Sequence, residues 1–172
     1  MKKIVLLGYM GSGKSTIGQK LAEALNLPFI DLDQEIETNL QKTIPAIFKE
    51  RGEIYFRKIE HQTFNHLLDE NKSIILSLGG GTPCYANNHL KLQESDVISI
   101  YLKASIKTLV ERLENEKEHR PVLNQNTDDT LETFVAKQLF ERSYFYHQAK
   151  HTLIVDNKSI SDIVDEIIKI VN

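Results

Sequence analysis

Residues 8–15 read Gly8-Tyr9-Met10-Gly11-Ser12-Gly13-Lys14-Ser15, and this spacing of glycine, four residues, glycine, lysine and serine constrains the chain more than any other feature. It follows an uninterrupted apolar stretch at residues 4–7 and precedes Ile17, Leu21, Ala24 and Leu25, which recur at helical spacing until Asn26 and Pro28 stop the pattern. An apolar run without polar alternation is the pattern of a strand covered on both faces, as in a parallel sheet packed between helices. Strand, glycine loop and helix in that order make a phosphate-binding loop. Its backbone N–H groups turn inward around an anion, and the helix N-terminus adds positive potential there. Lys14 brings a mobile cation to the β- and γ-phosphates, and the Ser15 hydroxyl is a ligand for Mg²⁺.

Four more apolar runs, at residues 29–32, 74–78, 97–102 and 153–155, alternate with segments of helical periodicity. The pattern predicts a three-layer α/β/α sandwich around a five-stranded parallel sheet, with right-handed crossovers and ligands gathered at the carboxyl ends of the strands. Two segments hold more chain than a crossover needs. Residues 33–69, with helices expected over 34–40, 44–50 and 54–68, read as a substrate-binding helical insert. Residues 114–129 are polar, carry Arg120-Pro121 and the run Asn124-Gln125-Asn126-Thr127, and read as a lid loop.

A length of 172 residues suits one domain, spanning 1–172, with a core large enough to need no disulfide or structural metal. With 41% hydrophobic and 26% charged residues the chain is an ordinary globular one. Its net charge of −3 provides no general attraction to nucleic acid or to anionic membranes, so neither is an expected partner. Met1-Lys2-Lys3 and the four apolar residues after it are too short for a secretory leader, and no run approaches the roughly 20 apolar residues that span a bilayer. Cys84 is the only cysteine, which excludes an intramolecular disulfide and fits a reducing cytoplasm. His61 and His66 are five apart, which misses the spacing of paired helical metal ligands.

A second set of residues is positioned to handle an acceptor. Asp31-Leu32-Asp33 ends the second expected strand, on the same sheet edge as the phosphate loop. One carboxylate is a candidate for Mg²⁺ and the other for the proton of an acceptor hydroxyl; equally, Asp33 suits the N-cap of a helix starting at Gln34. Arg57, in Phe56-Arg57-Lys58-Ile59-Glu60, and Arg142, in Phe140-Glu141-Arg142-Ser143-Tyr144, are each either solvated helix arginines or halves of a carboxylate site. Two guanidiniums meeting on one carboxylate bind it through parallel hydrogen bonds, but spacing along the chain does not establish that they meet. Gly79-Gly80-Gly81 after the third strand is either a tight exit turn or a place where backbone approaches a ligand. Arg120 is either an exposed loop charge or an arginine that swings onto the transferring phosphoryl group.

Together these motifs resemble the shikimate kinase family. The likeness rests on the phosphate loop with Thr16, on Asp31-Leu32-Asp33, and on Phe48 with Arg51-Gly52-Glu53 and Phe56-Arg57-Lys58-Ile59-Glu60. It continues through Gly79-Gly80-Gly81, Arg120-Pro121-Val122-Leu123, and Glu141-Arg142 leading to Tyr146, in family order over nearly the whole chain. The resemblance implies a P-loop kinase fold and transfer of the ATP γ-phosphoryl group to the 3-hydroxyl of shikimate, in aromatic amino-acid biosynthesis. It implies that Gly11, Ser12, Gly13, Lys14, Ser15 and Thr16 cradle the phosphates, with Arg112 and Lys158 on the adenine side. It also implies that Asp33, Arg57, Gly79, Gly80, Gly81 and Arg142 take shikimate, with Asp33 the candidate base. Ser15 would ligate Mg²⁺ with Asp31 assisting through water, Arg120 would come from the closing lid, and the enzyme would be a monomer.

Two other readings fit parts of the sequence. A P-loop with paired arginines would suit another hydroxy acid such as gluconate. A guanine-nucleotide switch would need Asn-Lys, any residue, Asp, whereas Asn71-Lys72-Ser73-Ile74 and Asn157-Lys158-Ser159-Ile160 both end in isoleucine.

Overall fold

The computed structural model of the chain describes residues 2–116 and 129–172. Arg120 and residues 117–128 of the expected lid lie outside the described residues. Strands β1 (Lys3–Leu7), β2 (Phe29–Asp31), β3 (Ile74–Ser77), β4 (Val97–Lys103) and β5 (His151–Ile154) form one sheet in the order β2-β3-β1-β4-β5. Every adjacent pair is parallel, with Lys3 opposite both Ile74 and Val97. Helices α1 (Lys14–Leu25), α2 (Leu32–Leu40), α3 (Ile44–Asp69), α4 (Asn88–Lys91), α5 (Ile106–Glu114), α6 (Leu131–Tyr146) and α7 (Ile160–Val171) flank it. The expected architecture is the observed one. Among the described residues no helix is long and apolar enough to cross a membrane.

Burial explains why the strands are legible. All five residues of β1 and all four of β3 are buried, because each of these strands has neighbours on both edges and helices on the faces. β5 is an edge strand with only its third residue buried, so His151 and Thr152 extend the strand beyond the apolar run at 153–155.

The differences from expectation have local causes. β2 ends at Asp31 and α2 starts at Leu32, because the Asp31 side chain accepts hydrogen bonds from the backbone N–H of Asp33 (3.1 Å) and Gln34 (3.3 Å). The cap is therefore Asp31, and the Asp33 side chain has no capping role. Helices expected over 44–50 and 54–68 are one long element, α3, interrupted at Gly52 with φ 80° and ψ 173°. Between β3 and β4 no full crossover helix forms. That segment holds a 3-10 turn at Thr82–Cys84 and the single-turn α4, with Ala86 and Asn87 left-handed between them.

The chain leaves central β1 for β2 on one side and reaches β4 and β5 on the other. Such a reversal opens a crevice at the carboxyl ends of the strands. The loops after β1, β2, β3 and β5 all contribute to the cavity found there.

Candidate functional site

The phosphate loop folds as its glycines require. Gly13, the N-cap of α1, is left-handed (φ 96°), and no side chain caps this helix. By contrast, the side chains of Asp31, Thr43, Ser105, Thr130 and Ser159 cap α2, α3, α5, α6 and α7. The first-turn N–H groups of α1 thus face the crevice without a protein acceptor from a cap, which is how a helix receives phosphate. Lys14 Nζ donates to the loop carbonyls of Gly8 (2.8 Å) and Tyr9 (3.0 Å), which holds its charge over the loop. Ser12 is buried, and its hydroxyl has no hydrogen-bond partner among the described residues.

A cavity of about 460 Å³ runs along this edge. At one end lie Arg112, Lys158, Ile160 and Ile163; in the middle the loop from Gly11 to Thr16; at the other end Asp33, Gly79 and Gly80. Arg112 is fixed by a hydrogen bond from its Nη1 to Gly11 O at 3.0 Å, and Lys158 pairs with Glu166 at 2.8 Å. Ile160 and Ile163 carry no reacting group that would single them out in the sequence, although their spacing at the start of α7 marks an apolar face. Ser15 Oγ donates to Asp31 Oδ2 at 2.8 Å, joining the two residues expected at the metal. A hydroxyl and a carboxylate are the hard oxygen donors that Mg²⁺ takes, so the pair fits that ion.

The end of the site around Asp33 and the triple glycine is built from α2, α3, α6 and the loop after β3. Asp33 faces Gly79 closely: a Cβ placed there would lie 3.0 Å from Asp33 Oδ1, 3.1 Å from Thr82 Oγ1 and 3.3 Å from Glu60 Oε2. Burial, reinforced by the Asp31 and Glu60 carboxylates, raises the Asp33 pKa from 3.8 to about 6 against the opposing charge of Lys14. Glu60 is 1% exposed and hydrogen-bonded on both oxygens, by Thr82 Oγ1 at 2.8 Å and by Arg57 Nη1 at 2.8 Å. The Arg57 Nε is buried without a hydrogen-bond partner among the described residues.

Arg142 reaches the same place from α6. Its charge meets Tyr146, Cys84 and Tyr9, with no carboxylate among them, and it hydrogen-bonds the Tyr146 hydroxyl. That hydroxyl donates to Gly80 O at 2.6 Å, and burial pushes its pKa up. A Cβ at Gly80 would stand 3.1 Å from Arg142 Nη1, and one at Gly81 only 2.7 Å from Arg57 Nη2. The triple glycine is therefore the surface on which two guanidiniums converge from helices 85 residues apart in the chain. Both arginines also act electrostatically on Cys84, whose thiol burial raises to about 11.

A family model described as shikimate kinase matches residues 10–172. The shikimate kinase of Flavobacterium psychrophilum is 56% identical over 170 residues, covering 99% of this chain and 99% of that protein. The chain belongs to the shikimate kinase family. Among solved structures it is similar to the shikimate kinase of Bacteroides thetaiotaomicron, with a TM-score of 0.89 and 34% identity over 98% of this chain and 97% of that one. It is also similar to the Acinetobacter baumannii shikimate kinase in complex with shikimate, with a TM-score of 0.88 and 32% identity over 99% of this chain and 92% of that one. As a member of the shikimate kinase family the chain is a phosphotransferase with the P-loop kinase fold.

Residues expected at the site and found along one edge are Gly11, Ser12, Gly13, Lys14, Ser15, Thr16, Asp31, Asp33, Arg57, Gly79, Gly80, Gly81, Arg112, Arg142 and Lys158. Glu60, Thr82, Tyr9 and Tyr146 had no role assigned from the sequence. For Glu60 the signal was its place three residues after Arg57, one helical turn on.

Proposed function

We propose that this chain transfers the γ-phosphoryl group of ATP to the 3-hydroxyl of shikimate, giving shikimate 3-phosphate and ADP, and so serves aromatic amino-acid biosynthesis. The observation that carries the reading is the convergence of Arg57 and Arg142 on Gly80 and Gly81, with Asp33 between them and the phosphate loop. Two fixed guanidiniums, of which Arg142 meets no carboxylate and Arg57 turns Nη1 and Nη2 toward Gly81, suit one small carboxylate, and a carboxyl at the junction suits the hydroxyl to be phosphorylated.

In this reading the loop from Gly11 to Thr16 binds the phosphates, and Lys14 moves from its carbonyl partners onto the phosphates. The adenine lies between Arg112 and the Lys158 end of the cavity. Arg57 and Arg142 hold the acid, the backbone of residues 79–81 forms the floor, and Asp33 orients the hydroxyl and accepts its proton. Ser15 and Asp31 would hold Mg²⁺, which supplies neutralisation of phosphate charge when bound. Arg120 would stabilise charge on the phosphoryl group from the lid. One domain with an acceptor insert at 33–69 and a lid at 114–129 provides every residue used, so a monomer suffices. The single cysteine suits a reducing cytoplasm.

An ADP-release assay with shikimate, gluconate and nucleoside monophosphates tests the proposal. Turnover of shikimate, with the other acceptors at background, is the expected result. Turnover of gluconate but not shikimate overturns it, and tight GTP binding without acceptor-dependent turnover would restore the switch reading.

A further inference from the structure

Arg57 is gripped from more directions than binding an acid requires. Glu60 takes Nη1 from the interior, while on the solvent side the Tyr85 ring lies 4.0 Å from the guanidinium carbon. Tyr85 follows directly on the 3-10 turn Thr82–Cys84, so the loop that supplies the triple glycine also supplies this ring. The Tyr85 hydroxyl donates to Glu53 Oε1 at 3.1 Å, and that same oxygen stands 3.6 Å from Arg57 Nε. Tyr85 is 38% exposed, so the ring stands at the rim of the acceptor end rather than in the core.

This triangle has a chemical consequence. Glu53, one turn before Arg57 on α3, is a carboxylate that pairs with Nε at 3.6 Å and, if it were free to turn onto the Nη groups, would compete with an incoming acid. The Tyr85 hydroxyl donates to the same oxygen that pairs with Nε, so it anchors that carboxylate on the buried Nε side of the guanidinium. The ring face meanwhile sets the plane of the guanidinium, which determines where its parallel N–H donors point.

We infer that Tyr85 is a positioning residue for acceptor binding: it stacks on Arg57 and anchors Glu53 beside Nε, so that the guanidinium keeps its plane with Nη1 and Nη2 over Gly81, where the acceptor carboxylate would meet them. The inference rests on the reading that Arg57 binds that carboxylate. It acts on the acceptor and leaves the nucleotide end of the cavity untouched.

Steady-state kinetics of the full chain tests it with Tyr85→Leu, Tyr85→Phe, Tyr85→Phe combined with Glu53→Gln, Arg57→Ala, and Tyr85→Leu combined with Arg57→Ala. Tyr85→Leu is expected to raise the shikimate KM about 3- to 30-fold, the range of a ring–cation contact, with kcat and the ATP KM within about twofold. Tyr85→Phe keeps the ring and frees Glu53, so it raises the shikimate KM by a smaller factor that Glu53→Gln reverses. Arg57→Ala itself raises the shikimate KM at least about tenfold, and Tyr85→Leu adds nothing in that background. A shikimate KM within twofold of the parent in Tyr85→Leu, an equal rise in the ATP KM, or full additivity with Arg57→Ala overturns the proposal. If Tyr85→Leu does not fold, the Tyr85→Phe arm and its reversal by Glu53→Gln decide. An unchanged KM in Arg57→Ala overturns the reading of Arg57 itself, and the Tyr85 role with it.

Discussion

Asp33 shows how much one residue's role depends on what surrounds it. On sequence grounds it was as good a helix cap as a proton acceptor; Asp31 takes the cap, and Asp33 is left half-buried beside Glu60 and Gly79. Its pKa of about 6, against 3.8 in an ordinary carboxyl, makes charging it unfavourable in the folded state. The sign follows: the folded protein holds this proton more tightly than the unfolded one, so the associated stability is present below pH 3.8 and lost as pH rises through about 6. Asp33→Asn removes that cost at neutral pH. We expect it to raise the unfolding free energy at pH 8 by of order 2 kcal/mol, with the gain vanishing below about pH 4, as measured by denaturant titration. The same variant should lower kcat at least about 100-fold if a base is needed. Parent kcat/KM should fall as pH drops through about 6, while a flat profile with near-parent kcat in Asp33→Asn would remove the proton-accepting role.

At the scale of elements, α3 does two jobs on either side of a break. The start of α3 is tied to α2 by the Ile44 N–H donating to Glu37 Oε1, the Phe48 and Phe56 rings lie 4.7 Å apart across the break, and residues after it deliver Arg57 and Glu60. The break was legible only as two separate helical stretches around a glycine, because apolar periodicity locates faces and not backbone angles. At φ 80° and ψ 173° the backbone lies in a region only glycine adopts readily, yet nothing stands within 4 Å of a Cβ there. Gly52→Ala should therefore destabilise through backbone strain alone, by about 1–3 kcal/mol, without a steric clash. Thermal unfolding checks the stability, and a loss of stability below about 0.5 kcal/mol would show that the break can be remodelled at little cost. The missing crossover helix between β3 and β4 has a related origin. Residues 85–88 are Tyr85-Ala86-Asn87-Asn88, two of them left-handed, so the crossover is made from turns.

For the whole molecule, a net charge of −3 conceals cations gathered on one edge, with Lys14 and Arg112 lining a cavity of about 460 Å³ and Arg57 and Arg142 against the triple glycine beside it. Ligands of both ends should therefore stabilise the folded chain. With each ligand at about 100 times its Kd, mass action contributes about 2.7 kcal/mol, which raises Tm by roughly 5–10 °C for a chain of this size. Differential scanning fluorimetry checks it, and no shift with shikimate alone or together with ADP would contradict the site. The sequence by itself determined the sheet, the phosphate loop and the family, because those depend on short-range patterns: an apolar run, glycines at fixed spacing, a lysine and a serine beside them. It also marked Arg57, Arg142 and the triple glycine as candidates, but left each with two readings. Only the tertiary structure brought them together. Convergence is a property of distance in space, and α3, α6 and the loop after β3 are brought together by a sheet whose strand order, β2-β3-β1-β4-β5, is not the order of the chain. The same packing, by enclosing Asp33 among carboxylates and laying Tyr85 on Arg57, set the electrostatics around the triple glycine, which depend on neighbours that no local spacing reveals.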